Sequence, residues 1–387
     1  MDLLFRIFIK NYKNTNDEKV RRKYGILGST TGIVMNLVLF LAKFTAGMLT
    51  KSISIIADAI NNLSDAGSSI ITLIGFRLSS KPADHDHPFG HGRFEYISAL
   101  FVSIIILLMG FELCKSSVEK IIFPENISFS TSSAIILIGA ILIKGWMYLF
   151  NKKIGIAINS QSMIATAKDS LSDTAATFAV LLSLVISKIF EINIDGYIGL
   201  AVSLFIIYTG ITTLKDSMSP LLGGTPDEDM VKSIEETIMA HKEIVGIHDL
   251  IIHNYGPTRF MMSVHAEVPA NSDILKIHDT IDIIEREISQ KFECDAVIHM
   301  DPIETDNKTI AEAKETVTKI ITNISSELSI HDFRMVSGDS HTNLIFDLVV
   351  PFEFKINPKE LTKIIQEKVF EHNSTYYVVI TIDKNYV

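Results

Sequence analysis

The chain has 387 residues, 47% of them hydrophobic, and a formal net charge of −10. Only Cys114 and Cys294 are present, which excludes a disulfide framework and a Cys-type zinc site. The acidic balance repels nucleic acid and anionic lipid and attracts cations.

Residues 1–218 are mostly long apolar runs, with 20 Lys/Arg against 16 Asp/Glu, whereas the remainder holds 15 against 29 and reads as soluble from about Pro226. Met1–Lys10 is apolar with a few basic residues and suits an interfacial helix. A hydropathy window of about 19 residues predicts six membrane helices. They fall near Gly25–Leu49, Ile53–Leu78, Glu95–Ser117, Ser130–Phe150, Met163–Phe190 and Ile194–Leu214. The first apolar run is too long for a signal peptide. An even number of spans puts both termini on one side. Lys10, Lys13, Lys19, Arg21, Arg22 and Lys23 in the leading segment, Arg77, Lys81 and Arg93 around the second-to-third loop, and Lys152 and Lys153 between the fourth and fifth spans make that side cytoplasmic.

Two acid-bearing pairs lie inside these apolar helices, Asn61-x-x-x-Asp65 and Asp169-x-x-x-Asp173. A spacing of four puts both members of a pair on one helix face. Carboxylates at membrane depth are costly and mark a pathway or a site. Asp58 shares the Asn61/Asp65 face, at i, i+3 and i+7. A structural role, each Asp pairing with a lysine such as Lys168 or Lys43 or capping a helix, explains one acid more readily than two matched pairs. Between the second and third helices Asp84, His85, Asp86, His87 and His91 form a second polar cluster, either a metal site or a tight turn with solvated imidazoles.

The soluble part reads helix, strand, strand, helix, strand, over Asp227–Lys242, a strand after His248, Phe260–Val268, Ile274–Phe292 and Ala296–Asp301. This is an α+β sandwich of ferredoxin-like type. Met262, Val264, Ala266 and Val268 take its core face, and Met261, Ser263, His265 and Glu267 the other; His299 and Asp301 share one face of the last strand.

At these residues the chain resembles the cation diffusion facilitator family. The resemblance is carried by Ser52-Ile-Ser-Ile-Ile-Ala-Asp58-Ala-Ile-Asn61-Asn-Leu-Ser-Asp65, by His87-Pro-Phe-Gly-His91-Gly-Arg93-Phe-Glu95, by Gly256-Pro-Thr-Arg-Phe260 and by Val297-Ile-His299-Met-Asp301-Pro, and it spans Lys23 to Ile303. It implies a multi-pass cell-membrane protein, homodimeric, with no enzymatic activity and no resident cofactor. Its cargo would be a divalent metal exported from the cytosol in exchange for protons. It also implies a transport site of Asn61, Asp65, Asp169 and Asp173, a loop site of Asp84, His87 and His91, and a cytoplasmic site of His248, His265, His278, His299 and Asp301.

Zinc-preferring members of that family place a histidine in the transport site, and this chain has none there. Zn²⁺ favours imidazole nitrogen or thiolate sulfur, whereas carboxylate and carbonyl oxygen suit Mn²⁺. An Asn with three Asp therefore resembles the manganese-exporting branch, with Zn²⁺ and Fe²⁺ as competing cargoes. A non-transporting metal sensor is the reading from another class. Three crowded carboxylates cannot easily all stay ionised without a cation, which links metal entry to proton release.

Asn307–Val387 echoes the preceding domain at an offset of 82 to 83 residues. Ile247-His248-Asp249-Leu250 matches Ile330-His331-Asp332-Phe333, and Val297-Ile-His-Met-Asp301 matches Val379-Ile-Thr-Ile-Asp383. Asp347 stands at the position of His265, Glu360 at that of His278 and Thr381 at that of His299. His331, Asp347 and Asp383 are thus accessory metal candidates in what otherwise reads as a packing or dimerisation domain. The expected organisation is a cytoplasmic segment 1–23, a six-helix domain 24–218, a ferredoxin-like metal-binding domain 219–304 and a degenerate α+β repeat 305–387.

Overall fold

A computed structural model describes residues 2–15, 17–50, 53–123, 131–190, 194–304, 307–338, 341–351 and 354–384. Ser52, the first residue of the motif running to Asp65, and Ser130, the first of the predicted fourth span, lie outside them, as does the side chain of Asp58. The chain forms two compact units, Met1–Gly224 with Asn254–Arg259, and Thr225–His253 with Phe260–Val387.

The first unit is helical: α1 (Asp2–Phe8), α2 (Glu18–Thr50), α3 (Ile53–Ser79), α4 (Phe94–Ile122), α5 (Thr131–Ala157), α6 (Gln161–Phe190) and α7 (Asp195–Met218). Among the described residues, four helices are long and apolar enough to cross a membrane, α2, α4, α5 and α7. The other two long ones, α3 and α6, are those with the Asp/Asn pairs and many serines, and these polar residues lower their hydropathy. The outer surface is apolar: Leu108, Phe111, Ile135 and Leu142 are all more than half exposed. So large an uncovered apolar surface fits a lipid environment.

Helices outrun their apolar segments. The helix α2 begins at Glu18, where Asp17 accepts hydrogen bonds from the amides of Lys19 and Val20 (2.7 and 3.2 Å). Lys152 and Lys153, expected in a loop, sit in the last turns of α5, and only a short turn through Asn159 leads to α6. The helix α1 buries Phe5 against Tyr24 and Phe150 and leaves Ile7 and Phe8 exposed, so it is two-faced. Beneath it, Arg21 makes a two-pronged ion pair with the fully buried Glu95 (2.6 and 2.9 Å) and donates to the Ile158 carbonyl. One side chain thereby ties α2 to α4 and to the α5–α6 turn.

In the second unit, α8 (Glu228–Met239), β1 (Gly246–Asn254), β2 (Phe260–Pro269), α9 (Ile274–Phe292) and β3 (Cys294–Ile303) are followed by α10 (Lys308–Ile324), β4 (Ser329–Ser337), β5 (Thr342–Val350), α11 (Pro358–His372) and β6 (Tyr376–Lys384). Each half is αββαβ with a three-stranded sheet, in the orders β1-β2-β3 and β4-β5-β6. The last strand runs parallel to the middle one in both. Helix periodicity builds the cores: Ile277, Ile281, Ile284 and Ile288 of α9 meet Met262, Val264, Ala266 and Val268, while Leu361, Ile365 and Val369 of α11 meet Leu344, Phe346, Leu348 and Val350. Asp227, Asp273, Asn307 and Asn357 cap the four helices. The face opposite the core of the first sheet is not simply solvated. Glu267 is buried there, and it accepts a hydrogen bond from the Asp332 amide of β4 at 3.4 Å.

Candidate metal centres

Asp65 on α3 and Asp169 and Asp173 on α6 converge, with one carboxylate oxygen of each within 4.8 Å of the others. Thr72 and Thr166, hydroxyl to hydroxyl at 2.9 Å, join the same two helices further along, and Ser98 of α4 meets Ser162 at 3.0 Å. Serine and threonine at these crossings keep the helices close. Asp65 and Asp169 are each 4% exposed. Among the described residues, the buried Oδ1 of Asp169 has no hydrogen-bond partner. Asn61 lies one turn before Asp65 and is exposed, whereas its neighbour Asn62 is buried.

A lysine outside the expected pairs completes this cluster. Lys144 of α5 is 4% exposed, and its Nζ donates to Asp65 Oδ2 and to Asp173 Oδ2, both at 2.7 Å. The proposed partner Lys168 instead meets Asp216 at 3.2 Å. Lys144 was detectable in principle, being an ionisable residue in an otherwise apolar span.

In the loop, Asp84, His87 and His91 come together, with Asp84 Oδ1 at 3.4 Å from His87 Nδ1 and Oδ2 at 3.5 Å from His91 Nε2. His91 Nδ1 donates to the Pro82 carbonyl (3.2 Å), so in the neutral ring Nε2 keeps its lone pair toward Asp84. A hydrogen bond from Lys81 and another from the His87 amide hold the Asp84 carboxyl well below the usual carboxylate range. His85 and Asp86 are exposed and take no part. The adjacent Arg93 donates twice to the Asn254 carbonyl, and Gly256 comes so close to Gly92 that a Cβ on it would lie 2.6 Å from the Gly92 Cα. With φ at +145°, Gly256 also holds a backbone conformation other residues avoid.

In the first α+β domain, Asp301 of β3 is a hub. His265 Nδ1 lies 2.8 Å from Asp301 Oδ2, His248 Nε2 lies 3.2 Å from the same oxygen, and His299 Nε2 lies 3.4 Å from Oδ1. The parallel register of β2 and β3 pairs His265 with His299. His278 stays apart on α9, 63% exposed and beside Asp282. In the second domain, His331 faces Asp347 and Asp383. Asp249 of β1, not foreseen as a ligand, joins that group.

Comparison with known proteins agrees with this architecture. Residues 29–222 match the cation efflux transmembrane domain, and residues 226–303 match the cytoplasmic domain of cation efflux proteins. An uncharacterized transporter of Methanocaldococcus jannaschii is 33% identical over 247 residues, covering 64% of this chain and 87% of the relative. The manganese efflux system protein MneS of Bacillus subtilis is 29% identical over 283 residues (73% of this chain, 97% of the relative). The cation-efflux pump FieF of Escherichia coli is 29% identical over 288 residues (73% and 95%). A transmembrane match over half the chain, followed directly by the matching cytoplasmic domain, makes this protein a member of the cation efflux, or cation diffusion facilitator, family of membrane transporters.

Proposed function

We propose that this protein exports a divalent metal cation from the cytosol in exchange for protons, with Mn²⁺ as the main cargo. In this reading it works as a homodimer of six-span protomers in the cell membrane, with both termini cytoplasmic. The observation that carries it is the buried, all-oxygen cluster of Asp65, Asp169 and Asp173 on two facing helices. Oxygen donors without imidazole suit Mn²⁺ better than Zn²⁺. Asn61, one turn away, supplies a fourth oxygen when α3 turns it inward during the cycle. The manganese efflux function named for the Bacillus relative points the same way.

Charge balance supports exchange. Three carboxylates outnumber the buried lysines near them, Lys144 and Lys43, so the cluster keeps a net negative charge that a dication neutralises. Lys144 donates to both Asp65 and Asp173 and so acts as a tethered positive charge that competes with the cargo for them. The imidazole-rich cluster around Asp301 suits Zn²⁺ or another first-row ion and serves regulation rather than conduction.

Uptake into proteoliposomes under an imposed pH gradient tests this reading. Mn²⁺ accumulation that collapses in Asp173→Ala is the expected result. Robust Zn²⁺ or Fe²⁺ transport without Mn²⁺ transport would overturn the cargo assignment, and unchanged transport in Asp173→Ala would remove the site.

A further inference from the structure

We propose that the second α+β domain completes a divalent-cation site shared with the first, formed by Asp249 of β1 with His331 of β4, Asp347 of β5 and Asp383 of β6. One ligand atom from each lies within 4.8 Å of the others. Around a single ion with bonds of about 2.2 Å, the four ligands of a tetrahedron stand roughly 3.6 Å apart, so side-chain shifts of up to about 1 Å seat the ion. His331 is the centre: its Nε2 is 3.4 Å from Asp383 and 3.9 Å from Asp249, and its Nδ1 is 3.9 Å from Asp347.

One imidazole atom of the group is unsatisfied: among the described residues, the buried Nδ1 of His331 has no hydrogen-bond partner. The neighbouring His248 also carries an unpartnered Nδ1, which lies nearest Glu267 at 3.7 Å. The His248 side chain is only 4% exposed, and its ring stacks on His331 at 4.5 Å between centroids. A buried polar atom without a partner is costly, and a metal or a proton relieves it. Among the described residues, His331 is the only ion-pair partner of Asp249, Asp347 and Asp383, while the nearby Arg334 is engaged by Asp332 at 2.7 Å. Three carboxylates gathered around one imidazole leave a net negative charge for a cation to neutralise.

The two sheets build the site by the same local device. Asp249 and its counterpart Asp332 both take left-handed backbone angles, with φ of 51° and 49°, directly after His248 and His331. In β4 this coincides with a break in register between His331 and Arg334. Such bulges re-aim side chains. In β1 the left-handed Asp249 lies within the other domain's ligand group. The donor set is one nitrogen and three carboxylates, which suits Mn²⁺ or Zn²⁺. Bound there, the ion fastens the two α+β domains of one chain together and, through the His248–His331 stack, adjoins the Asp301 cluster. This inference does not depend on which metal is transported.

The test uses the full chain in detergent micelles, equilibrated with Mn²⁺ or with Zn²⁺, and metal per chain counted by mass spectrometry after dialysis. Asp347→Asn with Asp383→Asn, and separately Asp249→Asn, are each expected to lose about one equivalent relative to the parent. Retention of that equivalent in Asp249→Asn alone makes the site a property of the second domain and overturns the shared site. Retention in both overturns the site altogether. A measurement without variants is hydrogen exchange on the parent chain. Added metal is expected to slow exchange in both 246–254 and 329–337, and no slowing in 329–337 contradicts the proposal even if the variants fail to fold.

Discussion

The ammonium of Lys144 lies 2.7 Å from the carboxylate of Asp65, with both side chains 5% exposed. It lies equally close to Asp173, so a fixed positive charge spans the two helices that carry the acids. Removing it leaves Asp65 and Asp173 without the cation that bridges them. Breaking such a pair costs roughly 3–5 kcal/mol. Lys144→Met is therefore expected to lower thermal stability without metal and to recover on adding Mn²⁺ by more than the parent gains. In transport assays the same variant should bind Mn²⁺ more tightly and release it more slowly, with KM and maximal rate each falling about tenfold, or ~1.4 kcal/mol. Parent-like kinetics in a folded Lys144→Met protein would exclude the lysine from the cycle.

Asn61 and Asn62 make a paired test of cargo selection. Asn61 is exposed on α3, and Asn62 is 2% exposed. Asn61→His adds an imidazole beside the all-oxygen set and is expected to raise Zn²⁺ transport relative to Mn²⁺ by about tenfold or more, with little change in stability. Asn62→His puts a larger ring into a packed position and should lower the unfolding temperature without a selectivity change. The ratio of initial Zn²⁺ and Mn²⁺ uptake rates decides; an unchanged ratio in Asn61→His places Asn61 outside the transport path.

How much of this was legible beforehand depends on whether the signal was local. Helix spacing alone picks out Asp65, Asp169 and Asp173, which the structure brings together, whereas Asn61 stays exposed one turn away; alternation in Phe260–Val268 marks the core face of β2, where Met262, Val264, Ala266 and Val268 are buried. The contribution of Lys144 depends on how α5 is rotated against α3 and α6, which no single-helix pattern encodes. Glu267 alternates onto the face opposite the core, and the strand's own pattern does not reveal that the second domain covers it. Asp249 lay beside His248 in plain view, but its role requires a left-handed residue and a second sheet, both long-range consequences. His278 matches the family pattern in sequence yet stands apart from the Asp301 hub within one chain.

The Arg21–Glu95 pair makes a prediction about the scaffold. Glu95→Gln keeps the shape and leaves the buried guanidinium with no countercharge, at a cost of about 3–5 kcal/mol. Replacing both partners with Met removes the unpaired charge as well, so the double variant should be more stable than either single one. Thermal unfolding in detergent followed by size-exclusion chromatography measures the order. A single variant as stable as the parent would show the pair to be dispensable.

Cys294 offers a reporter of domain integrity. It is 6% exposed, with its Sγ facing the core at the start of β3. Burial first, and the neighbouring Asp295 second, push its thiol above the ordinary value. The neutral thiol is thus favoured in the folded domain, and the thiolate is the reactive form. At pH 8 a Cys114→Ser chain is expected to react with a soluble disulfide reagent at least tenfold more slowly when folded than in denaturant. The linkage has a definite sign. Because the folded thiol holds its proton to higher pH than the unfolded one, the domain's stability falls as pH rises through the ordinary thiol value near 9 toward the folded one. Labelling kinetics across pH 7 to 10 check both points, and rapid reaction of the folded chain at pH 8 would contradict the buried placement of Cys294.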